Sequence, residues 1–372
     1  MSLFRIGRIV ICTSALVLVG YVIGGAEDAA PPSDAASYAW ILDEQSHTLT
    51  TIGSQEGPDN AFFGDISDVV VEDTIIHVLG SNRMQLSATS FSGHRLAETG
   101  AEGQAPGEFL GPNVAWTTDA GQVVVHDRQG VLKYFSFDPE PAELRYMLDS
   151  TQTFFRAVSD MCRAGDRLVL YPNNQPGTPA AEGEGAEHLL LHLPFPFTSA
   201  SSEARHFGAR PSFLEDIEER FLGSVSRGRV HCTAQNRVLV SHLLDTRVDI
   251  YDEAAQAEGH FPFADLHAPT FEVIQYDGAD WAHIQLRDSY LMSNMVSLDA
   301  TRVLVQFAHY PDDWSGRNFD RSLIQHTYVL NVSDQEATFL GTTDKVFHYV
   351  TDSQYVASKR RPQPIVYVAS KK

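Results

Sequence analysis

The chain has 372 residues, 43% hydrophobic and 20% charged, which is enough to bury a large core and is not the composition of a disordered chain. Its 48 acidic against 27 basic side chains give a formal charge of −21. That balance repels phosphate backbones, and with no useful Lys/Arg run before the extreme C-terminus it argues against nucleic acid as a partner.

The N-terminus is a different material from the rest. Arg5 and Arg8 precede "IVICTSALVLVGYVIGG", an apolar run of about 17 residues that is short for a membrane span. Residues 1–26 therefore read as an export signal, with Gly24 and Ala26 offering a cleavage site, or as an uncleaved anchor over residues 9–25. Cys12 lies inside the apolar run, not after it where a lipid-modified cysteine belongs. Residues 27–37, "EDAAPPSDAAS", have the composition of a flexible linker.

From residue 38 to 372 short strands with period-2 alternation follow one another between turns, which predicts a single all-β domain. Five openings recur: "ISDVVVEDTIIHVLG", "GPNVAWTTDAGQVVVHD", "VSDMCRAGDRLVLYP", "RGRVHCTAQNRVLVSH" and "SNMVSLDATRVLVQF". A sixth is split between the chain ends. "HYVTDSQYVASKRRPQPIVYVAS" supplies an opening pair of strands, and "YAWILDEQSHTLTTIGS" a closing pair. Joined, they seal a ring whose sheet edges would otherwise lie open at a seam.

The repeat also shows in the exits. "TGAEGQAPGEFLGP" at 99–112 has an imperfect copy in "TIGSQEGPDNAFFGD", with Gly53 47 residues before Gly100 and Phe62-Phe63 in the place of Phe109. That period is about one four-stranded propeller blade. The exit, followed by "VAWTTDAGQVVVHDRQGVLKYFSFD", resembles the blade boundary of NHL-type six-bladed β-propellers, in particular the exported bacterial ones, most clearly over residues 38–150. The resemblance implies a six-bladed β-propeller with N- and C-terminal strands sharing the last blade. It also makes the Gly/Pro/Phe stretch an inter-blade passage, not a phosphate loop, because it opens a strand and not a helix.

Three segments depart from the repeat. "YPNNQPGTPAAEGEGAE" reads as a long loop, "SFLEDIEERFLG" as a short helix with capping-box spacing from Ser212 to Glu215, and "HAPTFEVIQYDGADWAHIQLRDS", which brings Trp281 and His283, as part of a cap or rim.

Candidate site residues stand at the openings. Asp68, Asn113, Asp160 and Asn294 lie at or just before their blades' first strands, which line a propeller's channel, and Arg229 and His231 occupy the corresponding region of the fourth blade. As a ligand site at the channel mouth these six suit an anionic partner, because Arg229 opposes a metal. In the sugar-lactone and paraoxonase-like hydrolases a similar carboxylate and amide set holds calcium, so the alternative takes Asp68, Asn113, Asp160 and Asn294 as Ca2+ ligands with His231 as a base.

No G-x-S-x-G, H-E-x-x-H, Walker or C-x-x-C pattern occurs. His188 and His192 would lie some 13 Å apart along a strand at about 3.3 Å per residue, too far for one metal. Cys162 and Cys232 align in "CRAGDRLVL" and "CTAQNRVLV", leaving open a disulfide between neighbouring blades or two buried thiols. The expectation is a monomeric, extracytoplasmic binding protein for a protein, peptide or glycan ligand, non-enzymatic and without a cofactor. The alternative is a calcium-dependent hydrolase or lyase.

Overall fold

The computed structural model of the chain describes residues 33–53, 63–127, 130–149, 158–172, 188–195, 205–214, 226–275, 282–312, 323–360 and 363–372. The strands form six four-stranded antiparallel sheets and one separate hairpin. Blade 1 runs Asp68–Glu72, Ile75–Gly80, Gln85–Ser90, Arg95–Thr99, and blade 2 runs Pro112–Thr117, Gln122–Asp127, Val131–Pro139, Ala142–Asp149. Blade 3 is built from Val158–Ala164, Arg167–Pro172, His188–Pro194 and Arg205–Ala209, and blade 4 from Gly228–Cys232, Val238–His242, Arg247–Tyr251 and Ala257–Pro262. Blade 5 follows with Ser289–Ser297, Arg302–Tyr310, Ile324–Asn331 and Glu336–Thr343. The chain is a six-bladed β-propeller: each blade's first strand lies beside the first strand of the next, and the sixth blade's returns to the first's.

The second strand of a blade is the most deeply buried, and its sequence shows why. In "QVVVHD" the three valines, Val123, Val124 and Val125, are fully buried, as are Leu168 to Tyr171 and Val303 to Val305 in the corresponding strands. Neighbouring blades cover both faces of such a strand, so it reads as a continuous apolar run and not as an alternation. The outermost strand of blade 5 lacks that cover on both sides: Glu336–Thr343 has no buried residue.

Blade 6 takes Val346–Val350, Gln354–Lys359 and Ile365–Lys371 from one chain end and His47–Ile52 from the other. The last two pair antiparallel from His47↔Lys371 to Ile52↔Val366. The clasp is therefore three strands plus one, and the expected two-plus-two division is corrected. The physical reason is packing at 38–42: Tyr38, Trp40 and Ile41 are buried in a 3-10 turn against Val296, Leu304 and Phe347 at the junction of blades 5 and 6. Ala35, in the segment read as a linker, is buried in the same cluster within the helical turn Ser33–Ala36.

The glycine-rich exits behave as blade boundaries. Phe109 is fully buried and packs on Phe135 with ring centroids 5.6 Å apart. Gly100 has φ +103°, and a side chain there would meet the Met84 carbonyl at 2.5 Å and the Phe109 ring at 2.7 Å. Gly53 repeats the device with φ +89° and Phe63 in the same relation at 2.5 Å. Only glycine fits this combination of left-handed backbone and close approach. The Asp127 carboxylate, also buried, ties the turn by accepting N–H bonds from Leu110 and Gly111.

Of the irregular segments, 267–289 contains the separate hairpin, Thr270–Gln275 paired with Ala282–Arg287. Phe271 and Leu286 dock it against the apolar cluster shared by blades 3 and 4 and Leu291. The 172–187 loop apart from Pro172, the predicted helix beyond the 3-10 turn Ser212–Leu214, Trp281 and the export signal lie outside the described residues.

Candidate functional site at the channel mouth

The opening residues of the inner strands do something that their spacing alone does not predict. Asp68 accepts an N–H bond from Ala115 of blade 2 at 2.9 Å through Oδ2. Asn113 of blade 2 donates through Nδ2 to the Val158 carbonyl of blade 3. Asp160 accepts from Val230 N–H of blade 4 at 3.2 Å, and Arg229 of blade 4 donates through Nε to the Ser293 carbonyl of blade 5 at 3.1 Å. Asn294 donates to the Phe347 carbonyl of blade 6 at 2.7 Å, and Arg360 of blade 6 closes the circle on the Ser67 carbonyl beside blade 1 at 3.2 Å. Every blade is thus linked to the next by at least one side-chain-to-backbone bond.

This arrangement divides the six residues among different spaces. Asp68, Arg229 and Asn294 line a cavity of about 300 Å³ at the mouth, together with His348, Arg360, Tyr310, Gln325 and aliphatic side chains. Asp160 and His231 line the wider channel, which Asp68, Arg229, Asn294 and His348 also reach. Asn113 turns away toward Ser67, Ser81 and Pro112, with its Oδ1 2.7 Å from Nδ1 of His126. His231 points Nε2 at Ser297 Oγ, 2.7 Å away.

Asn113 accordingly stands apart from Asp68, Asp160 and Asn294, which share the wider channel. Both Asp68 oxygens accept backbone N–H bonds, from Val69 and Ala115, and so do both of Asp160, from Met161 and Val230. Among the described residues no group of three or more His, Cys, Asp or Glu side chains is arranged to hold a metal ion. Calcium takes six to eight oxygen ligands, and all four carboxylate oxygens of Asp68 and Asp160 already accept a backbone N–H.

Burial and two cations govern the electrostatics. Desolvation raises the Asp160 carboxyl to about 6, against the pull of Arg229, whose Nη1 lies 3.7 Å from Oδ2. Asp68 is raised for the same reason, opposed by the Ala115 N–H and Arg229. Both shifts run toward the neutral acid, but at about 6 the Asp160 carboxyl is still mostly ionised at pH 7. His348 is lowered to about 3 by burial, then by Arg360 and Arg229, and His231 to about 4 by burial, so both imidazoles are neutral at pH 7. Arg360 is itself lowered by desolvation and by Arg229. Two guanidinium groups therefore face one cavity, whose wall also carries Asp68 and Asp344.

Cys162 and Cys232 are joined in a disulfide between the inner strands of blades 3 and 4, with Cα atoms 5.6 Å apart. Adjacent inner strands converge toward the axis, so the separation is well below the ~10 Å of ordinary packed sheets.

Sequence reasoning missed His348, Arg360 and Gln325. His348 was within reach, because in "VFHYV" it holds the place of Asn294 in "SNMVS". Arg360 lies in the turn "SKRRPQP", where no repeat position marks it, and Gln325 sits on an outer strand with no motif around it.

No protein-family model and no curated protein matches the chain. Solved structures do match over most of its length. A candidate exported protein from Bacteroides fragilis aligns with TM-score 0.52 at 10% identity, covering 88% of this chain and 96% of that one. A DUF4221-family member from Bacteroides vulgatus aligns with TM-score 0.55 at 8% identity, covering 88% and 97%. A streptogramin B lyase reaches TM-score 0.43 at 10% identity over 89% and 99%. At these identities the similarity is one of fold, and the lyase match is too distant to bear on chemistry.

Proposed function

We propose that this chain is an extracytoplasmic, monomeric binding propeller that uses the channel-mouth face to hold a protein, peptide or glycan ligand through an anionic group. The observation that carries the reading is the pair Arg229 and Arg360 lining one cavity, of which only Arg229 has a carboxylate partner within 4 Å among the described residues, Asp160 at 3.7 Å. Guanidinium groups in a partly desolvated pocket recognise carboxylate and phosphate far better than in water, and a propeller presents such a pocket on a rigid ring. The cavity size is that of one amino-acid or sugar unit, not of a folded surface, so the anion anchors a larger partner lying across the rim.

Export fits two further features. The N-terminal segment reads as a signal, and the Cys162–Cys232 bridge belongs to an oxidising compartment. Among the described residues no helix is long and apolar enough to cross a membrane, so contact with a membrane is assigned only to residues 9–25 where they remain uncleaved. No cofactor is required by this reading.

The test is a screen of immobilised peptides and acidic oligosaccharides against the purified chain and its Arg360→Ala variant. Anion-bearing ligands that bind the parent at least tenfold more tightly than the variant are expected. Equal retention of charged and uncharged ligands by both proteins would overturn the reading. Calcium titration of the same preparation gives an independent outcome, since stoichiometric uptake would favour the hydrolase alternative.

A further inference from the structure

The wall of the cavity is more specific than the arginine pair alone. Besides the guanidinium groups, its lining includes the apolar side chains of Leu243, Leu291, Met292, Ala308, Leu323 and Val346. Gln325 is part of the same lining and only 4% exposed; its Oε1 is buried with no hydrogen-bond partner, while its Nε2 is occupied weakly by the Leu323 carbonyl at 3.4 Å. A buried acceptor without a donor is unfavourable by about 1–3 kcal/mol, and such a group at a cavity wall marks the place where a ligand N–H or O–H completes it.

We infer, on the basis of the binding role proposed above, that the cavity captures the C-terminus of a peptide whose last residue is apolar. The terminal carboxylate pairs with Arg229 and Arg360, the last side chain lies against the aliphatic wall, and an N–H of the peptide donates to Gln325 Oε1. Three chemical requirements are met at once by this ligand class. The charge is single, which suits a site where Arg229 is already partly matched by Asp160 3.7 Å away and where Asp68 and Asp344 stand at the wall. A phosphate dianion would bring a second charge against those acids. The six apolar side chains of the lining offer no partner to ring hydroxyls that lie against them, whereas an apolar side chain needs none there. A carboxylate held by convergent N–H donors, with a pocket for the adjacent side chain, is an established way to read a chain end.

The geometry also explains why an internal acidic residue is a poorer fit. An Asp or Glu side chain places its carboxylate at the end of a chain that continues in both directions, and the aliphatic wall then receives backbone instead of a side chain. Buried peptide groups without partners are expensive, so the free end is selected.

The experiment measures fluorescence-anisotropy binding of labelled hexapeptides ending in Ala-Leu with a free carboxylate, the same peptides amidated at the C-terminus, an internal-glutamate control and a labelled galacturonate oligomer. The free acid is expected to bind at least tenfold more tightly than the amide, with Arg360→Ala losing that preference and Gln325→Leu weakening the free acid several-fold. Arg229→Ala also removes a bond to blade 5 and is informative only if its melting curve matches the parent. Arg360→Ala keeps the bond to blade 5 but removes the one to the Ser67 carbonyl, so it is read under the same melting control, and Gln325→Leu, which breaks no inter-blade bond of the circle, supplies the second test. Equal binding of acid and amide, or preference for galacturonate or the internal glutamate lost in Arg360→Ala, would overturn this inference and leave the anion-binding role standing. Failure of every anionic probe, with parent and Arg360→Ala alike, would remove both.

Discussion

Blades 3 and 4 are joined by a covalent bridge, Cys162–Cys232, whereas blade 6 is assembled from two chain ends held by backbone hydrogen bonds and packing alone. The bridge connects the first strands of two blades that are already consecutive in the chain, through cysteines 70 residues apart. The seam pairs residue 47 with residue 371 across nearly the whole sequence. Closing so long a loop is less unfavourable than it looks, because the entropy grows only with the logarithm of length. What the seam requires instead is an unbroken ladder. Ile365–Lys371 is paired on both sides, to Gln354–Lys359 and to His47–Ile52, and buries Val366, Val368 and Ala369. The covalent junction trims the unfolded ensemble, and the seam decides whether a ring exists at all.

The sharpest way to break the comparison is truncation before Ile365. Removing the interior strand of blade 6 leaves two unpaired edges and an opened core, so the cooperative thermal transition seen by circular dichroism should disappear. A truncated chain that melts as the full chain does would show that the ends are decoration.

The bridge should matter less. Replacing Cys162 and Cys232 by Ser is expected to lower stability by about 4 kcal/mol in the loop-entropy description, with an intact fold and the same secondary structure. Chemical denaturation of parent and double variant decides it, and a loss large enough to abolish folding would place the bridge on the same footing as the seam.

The smallest effect concerns the polar link from blade 3 to blade 4, and it depends on pH. Asp160 is raised to about 6 in the folded chain, above its ordinary unfolded value near 3.8. The folded state therefore binds this proton more tightly, and the carboxyl's contribution to stability is greatest below about 4 and is lost as pH rises through about 6. Two pKa units correspond to at most about 3 kcal/mol. The buried imidazoles of His231 and His348 have lowered values and act in the opposite direction on acidification, so the parent's total profile is mixed. The difference between parent and Asp160→Asn isolates the carboxyl. Relative to the variant, the parent should gain stability between pH 7 and pH 4. A difference that stays flat with pH would show that Asp160 is solvated or fully paired with Arg229.

Six blades, their order and the sharing of the last one between the chain ends were all readable, because each blade must bury the same faces and so repeats the same residue types. "QVVVHD" and "RVLVQF" announce strands covered on both sides, and Gly53 and Gly100 mark passages that no larger residue can make. The division of blade 6 was not readable. "YAWIL" has the apolar content of a strand, and only the groove between blades 5 and 6 turned it into a buried 3-10 turn.

The site divides along the same line. Sequence alone placed Asp68, Asn113, Asp160, Arg229 and Asn294 at the channel, since strand register fixes which end of a blade opens inward. Whether those side chains converge on a ligand or reach sideways to the next blade depends on the stagger between neighbouring sheets, which no period within one blade encodes. Packing set that stagger, and with it the circle of six inter-blade bonds, the turning of Asn113 toward His126 and the meeting of Arg229 with Arg360 from 131 positions further along the chain at the cavity's mouth.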